Sequence, residues 1–410
     1  MTGFSFLHAA DLHLGAPFRG LARRSDPETA KSLAAAPAAA FRRIAEVARR
    51  EQAAFLLLAG DIFDSREVSL STLKAFRRTV ESLGEAGIPV FAVAGNHDPL
   101  PWSDAFEAPA NLRIFPAETA ETAAVTGADG EVLATVAGIS HGRAAETRDL
   151  VPRLTEALRG APGFRIALLH ANIGGNPGFD PYAPAPLAEL LDSGAADYWA
   201  LGHIHVPGVL AREPAAVVYP GSPQGGSVND SGARFVQVVR VAADRSVELA
   251  AEAVDEVRFE TVAVDGLDEV RSLPQLQEKL RAAAAAAGSA PRDVLVRVVL
   301  KGHTPLNAAL RREDPAELHD LCAEALPRRF HLESVRLDTA SPVSAARREG
   351  LAPEVEAVRG ELPAKLKEYF DTLRIPARLG VEFSDAEFDA IAADAAEMLI
   401  DRLAGEGAER

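Results

Sequence analysis

Phe55-Leu56-Leu57-Leu58-Ala59-Gly60-Asp61-Ile62-Phe63-Asp64 is the stretch whose reading decides the fold. The apolar run is too short for a helix and Gly60 closes it, so it reads as a strand buried on both faces. Asp61 then stands where that strand gives out. A short side chain that only accepts hydrogen bonds can bridge two metal ions there, one carboxylate oxygen facing each.

Working outward, the same plan recurs. Phe4-Ser5-Phe6-Leu7-His8-Ala9-Ala10 reads as a first strand ending in Asp11-Leu12-His13, whose i, i+2 spacing can turn both side chains toward one ion. Residues 27–52 are Ala-rich, and Phe41, Ile44, Val47 and Ala48 fall at helical intervals in the second half, after Pro37. Leu73, Phe76, Val80 and Leu83 mark the next helix, which Gly84 and Gly87 end. Pro89-Val90-Phe91-Ala92-Val93-Ala94 is a strand that stops at Gly95-Asn96-His97-Asp98. Residues 112–138 read as short strands with a turn at Gly127-Ala128-Asp129-Gly130, and a helix follows over about 151–159. Phe164-Arg165-Ile166-Ala167-Leu168-Leu169 ends in His170. The Gly- and Pro-rich loop 174–186 is long enough to cover a site. After a short helix at 187–191, Tyr198-Trp199-Ala200-Leu201 ends in Gly202-His203-Ile204-His205. Residues 209–218 and 235–241 read as antiparallel strands on either side of Tyr219-Pro220-Gly221-Ser222-Pro223.

Five apolar runs thus each stop on Asp, Asn or His. In open α/β sheets the carboxyl ends of the strands are where ligand sites lie. Asp11, His13, Asp61, Asn96, His170, His203 and His205 offer only oxygen and imidazole nitrogen. That donor set suits Mn, Fe, Zn or Mg, with Mn matching mixed carboxylate and imidazole ligands. Seven donors are too many for one four-coordinate ion and suit a pair that shares Asp61. Two ions about 3.5–4 Å apart can clamp a phosphate and lower the pKa of a bridging water. His97 can then face the substrate and protonate the leaving oxygen. Asp64 or Asp98 can orient an imidazole from behind.

The totals bound the rest. A chain of 410 residues suggests two or three domains. The formal charge of −16 argues against unaided nucleic-acid binding. Cys322 is the only cysteine, which excludes an intrachain disulfide and a thiolate metal cluster. No membrane span or signal peptide is visible, and the reading is a cytoplasmic protein. Phe18-Arg19-Gly20-Leu21-Ala22-Arg23-Arg24 is a basic stretch that can steer DNA or simply be solvated. Gly221-Ser222-Pro223 reads equally as a phosphate contact or a plain turn. His8 reads as a packed residue, and His141, near a strand end, as structural, with a role at the rim of the site as its lesser alternative.

Asp11-Leu12-His13, Gly60-Asp61-Ile62-Phe63-Asp64, Gly95-Asn96-His97-Asp98, His170 and Gly202-His203-Ile204-His205 resemble, in order, the signature of the calcineurin-like metallophosphoesterases. More narrowly, His8-Ala9-Ala10-Asp11-Leu12-His13-Leu14-Gly15, Tyr198-Trp199-Ala200-Leu201-Gly202-His203-Ile204-His205 and Tyr219-Pro220-Gly221-Ser222-Pro223-Gln224 resemble the SbcD-type DNA repair exonucleases, especially the YhaO group. The likeness is strong over about 4–240, weaker over 255–340 where Lys301-Gly302-His303-Thr304-Pro305-Leu306 carries it, and faint beyond. It implies an α/β sandwich. It also implies that Asp11, His13, Asp61 and His205 hold one ion, that Asp61, Asn96, His170 and His203 hold the other, and that His97 is the catalytic histidine. Some relatives carry a further histidine where this chain has Asp64.

The expected organisation is a metallophosphoesterase domain over 1–253, a small α/β cap over 254–340 with β-α-β-α-β order, and a helical segment over 341–410. In that segment Val355, Val358, Leu362 and Leu366 form a stripe that Pro363 is expected to break into two helices. Ser384-Asp385-Ala386-Glu387 is a capping box that starts another. These stripes read equally as faces packed on their own protein or as a helix pair that binds the base of a partner's coiled coil; the resemblance implies an SbcC-like ATPase as that partner, and it leaves a homodimer open. The leading expectation is a Mn-dependent DNA exonuclease. Its alternatives are a phosphoesterase for nucleotides or other small phosphoesters, and a non-catalytic assembly subunit of an ATPase complex.

Overall fold

A computed structural model describes residues 3–16, 18, 27–102, 106–228, 230–286, 293–342, 345–372 and 384–405. The basic stretch after Phe18 lies outside the described residues. The chain divides into two units, Met1–Glu260 with Arg292–Val294, and Thr261–Pro291 with Leu295–Arg410.

In the first unit the elements run β1 (Phe4–Ala9), α1 (Pro27–Arg50), β2 (Leu56–Ala59), α2 (Leu70–Glu85), β3 (Val90–Val93) and β4 (Leu112–Ile114). They continue β5 (Glu121–Thr126), β6 (Val132–Gly138), α3 (Val151–Leu158), β7 (Phe164–His170), α4 (Leu187–Asp192) and β8 (Tyr198–Gly202). The last are β9 (Gly208–Ala211), β10 (Ala216–Tyr219), β11 (Phe235–Val241) and β12 (Val247–Ala253). One six-stranded sheet has the order β12-β11-β1-β2-β3-β4 and the other β5-β6-β7-β8-β10-β9.

The apolar runs explain the layering. Along β2, Leu56 and Leu58 pack with Phe41 and Ile44 of α1 and Phe76 and Val80 of α2. Leu57 and Ala59 point the other way, into a core where Phe6, Phe55 and Phe91 meet Phe164 and Tyr198 of the second sheet. Phe6 and Phe55 stack at 4.8 Å between centroids. On the far side of the second sheet, Trp199 and Leu201 pack with Leu154, Leu158 and Leu190 of α3 and α4. The result is helix, sheet, sheet, helix. Burying each such Leu or Phe is worth about 1.5–3 kcal/mol. β1, β2 and β3 run parallel in one sheet, and β7 and β8 in the other. Their carboxyl ends gather the polar stops.

α1 runs unbroken through Pro37. Two local readings change. β12, with its charged residues on the sheet edge, is an additional strand. β10 pairs with β8 and β9, whereas β11 pairs with β1 and β12, so the two strands beside Tyr219-Pro220-Gly221-Ser222-Pro223 belong to different sheets.

The second unit is built on the sheet β13-β14-β15, formed by β13 (Val257–Val264), β14 (Asp293–His303) and β15 (Phe330–Ala340). Between these strands lie α5 (Leu273–Ala286), α6 (Asn307–Arg312) and α7 (Pro315–Ala323). Buried Asn307 accepts from Thr339 Oγ1 at 2.6 Å and ties α6 to β15. α8 (Ala345–Thr372) and α9 (Asp385–Gly405) follow. The expected break at Pro363 does not occur, because α8 is continuous there. The proline removes one backbone donor without ending the helix, and α9 packs along α8. Phe370 meets Phe388 edge-on at 5.4 Å. The capping box forms: Ser384 N–H donates to Glu387 Oε2 at 2.7 Å and Glu387 N–H to Ser384 Oγ at 3.3 Å. Among the described residues no helix is long and apolar enough to cross a membrane.

Candidate metal centre

The turns after the parallel strands are strained. Asp11, His13, Asp61 and His203 have φ of 54°, 44°, 49° and 96°. Non-glycine residues avoid that region, at a cost of about 1–3 kcal/mol each, and such residues cluster at functional sites. The turns hold one another: Asp11 N–H donates to Gly60 O and His13 N–H to Asp61 O, both at 3.0 Å. Two glycines permit the approach of the sheets. A Cβ on Gly60 would run into the His170 ring, and one on Gly202 into Ala59 O.

The donors converge. Asp61 Oδ2 lies 3.4 Å from His170 Nε2 and 3.9 Å from His13 Nε2. Its Oδ1 accepts the His97 N–H at 2.9 Å. Both imidazoles therefore sit on the Oδ2 side, rather than one at each oxygen. Asp11 accepts the His203 N–H at 3.1 and 3.2 Å, and its Oδ1 is 3.9 Å from His205 Nε2. His13 Nε2 and His205 Nε2 are 3.1 Å apart, and His170 Nε2 is 2.9 Å from Asn96 Oδ1. Three donor sets lie within 4.8 Å: Asp11 with His13 and His205, His13 with Asp61 and His97, and Asp11 with Asp61 and His170. His203 is placed next to them, its ring 5.3 Å from that of His170.

The charges are balanced inside the cluster. Burial would raise the Asp61 carboxyl, but the His170 charge and hydrogen bond hold it far below the usual carboxylate range. Burial would likewise lower His170, and Asp61 outweighs it, raising the imidazole to about 9. His8 and His141 are different: burial lowers each to about 3. His8 is buried and bonds Tyr198 Oη and Leu201 O, as expected of a packed residue. His141 is also fully buried, and its Nε2–H donates to His170 O at 2.7 Å, behind the site rather than at its rim.

The residues fit a pair of cations. A metal-bound imidazole usually donates its other N–H to a carbonyl or carboxylate, which fixes the tautomer. His170 Nδ1–H donates to Ala59 O at 2.9 Å, and His203 Nε2–H to Asp180 O at 2.8 Å. His13 Nδ1 lies 3.3 Å from Asp64 Oδ1. In each case the opposite nitrogen is the one available to a cation, and His170 Nε2 becomes so by giving up the proton that Asp61 stabilises. Two facing imidazole nitrogens and two buried carboxylates, with no thiol among them, make a hard to borderline donor set.

Asp64 stands behind two imidazoles. Besides His13, its backbone oxygen accepts His97 Nδ1–H at 3.0 Å. Asp98 grips backbone instead. Its Oδ2 accepts from Ile62 N and Phe63 N at 2.9 and 3.2 Å, and its Oδ1 from Gly95 N at 2.7 Å. It thereby locks the Asp61 turn to the Asn96 turn. Burial and the charge of Asp61 push its carboxyl up to about 7, against three donors that favour the anion. Asp98→Ala leaves three buried donors without that acceptor, at about 1–3 kcal/mol each if unsatisfied. A fall of about 3 kcal/mol or more in unfolding free energy is expected from urea titration. A fall below about 1 kcal/mol would show that the clamp is dispensable.

A cleft of about 500 Å³ opens on the cluster, lined by Asp61, Asn96, His97, Phe179, His203 and His205 among others. Its other wall is 177–181, inside the loop read as a cover. Gly221 and Ser222 are not part of the cleft lining, and Ser222 N–H donates to His205 O at 3.1 Å. Sequence reasoning missed Asn172, Phe179 and the carbonyls of Ala59 and Asp180. A backbone carbonyl has no residue-type signature, so only the Gly/Pro texture of the loop hinted at the last.

Residues 4–207 match the family model of the calcineurin-like phosphoesterases. The chain belongs to the calcineurin-like metallophosphoesterases, a family of metal-dependent phosphoester hydrolases. Within it the chain is a homologue of metallophosphoesterase YhaO of Bacillus subtilis, with 34% identity over 308 residues, covering 74% of this chain and 73% of that one. Residues 259–340 match the family model of the YhaO middle domain. The DNA double-strand break repair protein Mre11 of Aeropyrum pernix is 30% identical over 227 residues, 52% of each chain. The SbcD component of the SbcCD nuclease of Bacillus subtilis is 26% identical over 266 residues, covering 57% of this chain and 65% of its own.

Proposed function

We propose that the chain is a metal-dependent DNA exonuclease that hydrolyses phosphodiester bonds with two divalent ions, most suitably Mn, in cytoplasmic DNA repair. The observation that carries this reading is the convergence of Asp11, His13, Asp61, His170 and His205 beside a cleft whose rim holds His97. Asp11, His13, Asp61 and His205 would hold one ion, and Asp61, Asn96, His170 and His203 the other. Bound there, the ions would neutralise charge on the phosphate and lower the pKa of a water. The chain's own residues do the rest. Asp64 O holds His97 Nδ1, so Nε2 is the nitrogen that exchanges a proton with the leaving oxygen. His97 N–H on Asp61 Oδ1 fixes the distance between acid and cluster.

The DNA substrate rests on the names of the Mre11 and SbcCD relatives. An SbcC-like coiled-coil ATPase as partner rests on the likeness to SbcD, whose name marks it as one subunit of SbcCD. Such a partner answers the net charge of −16, because it would supply most of the grip on DNA. That charge also favours a second reading, a phosphoesterase for nucleotides or other small phosphoesters. The test is the full chain with Mn and end-labelled duplex DNA, with and without the ATPase. Release of labelled nucleotides supports the exonuclease. Intact DNA in both arms, with hydrolysis of free nucleotides, transfers the site to the second reading.

The pair α8 and α9 would bind the ATPase. Deleting residues 341–410 is expected to spare hydrolysis of a small phosphodiester and to end co-purification with the ATPase. Unchanged co-purification would leave those helices a purely structural part.

A further inference from the structure

We infer that Asn172 is a positioning residue that sets the tautomer of His203 through the carbonyl of Asp180. Asn172 follows β7 and is 2% exposed. Its two Nδ2–H protons are shared among the carbonyls of Asn176, Phe179 and Asp180, at 3.0, 3.1 and 3.2 Å. Its Oδ1 accepts Asn176 N–H at 2.8 Å, and its own N–H donates to Tyr182 O at 2.9 Å. One buried carboxamide thus folds the loop 172–182 back on itself.

The consequence falls on a single atom. Asp180 O has two lone pairs. One takes Asn172 Nδ2–H and the other takes His203 Nε2–H, at 2.8 Å. An imidazole that donates from Nε2 carries its lone pair on Nδ1. The same grip seats Phe179, whose ring stands 5.7 Å from His203 and 5.9 Å from His205, as part of the cleft wall. Without the grip the loop no longer presents Asp180 O, and neutral His203 has no fixed partner to choose its tautomer. Asp cannot replace Asn here, because a carboxylate keeps the acceptor for Asn176 N–H and loses both donors.

The catalytic meaning rests on the two-ion reading above, but the tautomer is a property of the metal-free chain. The test is nitrogen-15 NMR of the metal-free full chain with labelled histidine and asparagine, together with Mn titration calorimetry of the wild type and Asn172→Asp. In the wild type, His203 carries its proton on Nε2 and the Asn172 carboxamide protons exchange slowly. In Asn172→Asp, His203 becomes a mixture of tautomers while His170 keeps Nδ1–H on Ala59 O as the internal control. Affinity for the more weakly held ion falls about 10–100-fold, the usual effect of removing a partner behind a ligand. The inference is overturned by a wild-type His203 protonated on Nδ1, or by Asn172 amide protons that exchange as fast as exposed ones. Neither measurement requires the variant to fold. Unchanged tautomer and ion affinity in a folded Asn172→Asp would overturn it as well. A wild type that binds fewer than two ions instead counts against the two-ion reading and leaves the tautomer result standing.

Discussion

His97→Ala is expected to lower phosphodiester hydrolysis by about 10²–10⁴-fold, the range for losing a general acid. Its ion content should not change. The geometry separates the two effects. His97 is the exposed member of the cluster, with 44% of its side chain accessible. Its contact with Asp61 Oδ1 is made by the backbone N–H, which alanine keeps. Its ring is held by Asp64 O, and the turn around it by Asp98. Removing the ring therefore removes a proton carrier and leaves the scaffold. The loss should be large for DNA, whose leaving alkoxide needs a proton. It should be small for an aryl phosphodiester, whose leaving group departs unprotonated. Equal losses on both substrates would mean that His97 acts by binding the phosphate. Full activity on DNA would remove it from the chemistry.

Asp61→Ala acts on the scaffold itself. Oδ2 is the oxygen that both His13 and His170 face, and Oδ1 anchors the His97 turn. The variant should retain at most one ion and show no hydrolysis above background. It also leaves His170 without the charge that raises its pKa. Asp61→Asn keeps the shape and one acceptor, so it isolates the charge. It should hold the His97 turn but still lose an ion. Two ions bound in Asp61→Ala, by metal analysis of the purified protein, would refute the bridge.

The site was legible because buried parallel strands read as apolar runs. Phe55 to Ala59 and Phe164 to Leu169 leave the residue that ends each run conspicuous, and Asp61 and His170 are those residues. The layered sandwich was expected from the family resemblance alone, because runs buried on both faces carry no alternation to show which side chain faces which layer. What was illegible had no side-chain signature or an ambiguous one. β12 mixes Glu248 and Glu252 with small residues because it is an edge. α6 has only six residues, too few to show a period. Pro363 reads as a break, yet α8 runs through it. Asp98 looks like any acid beside a histidine, and only the structure shows it accepting three backbone N–H groups. The carbonyls of Ala59, Asp64 and Asp180, which hold three of the imidazoles, could not have been named in advance.

The most direct measurement is anomalous diffraction from crystals of the full chain grown with Mn. Two peaks about 3.5–4 Å apart are expected astride Asp61 Oδ2. One should lie among Asp11, His13 and His205, the other beside Asn96, His170 and His203, with the His97 ring bound to neither. A single peak, or none at this cluster, would contradict the two-ion centre.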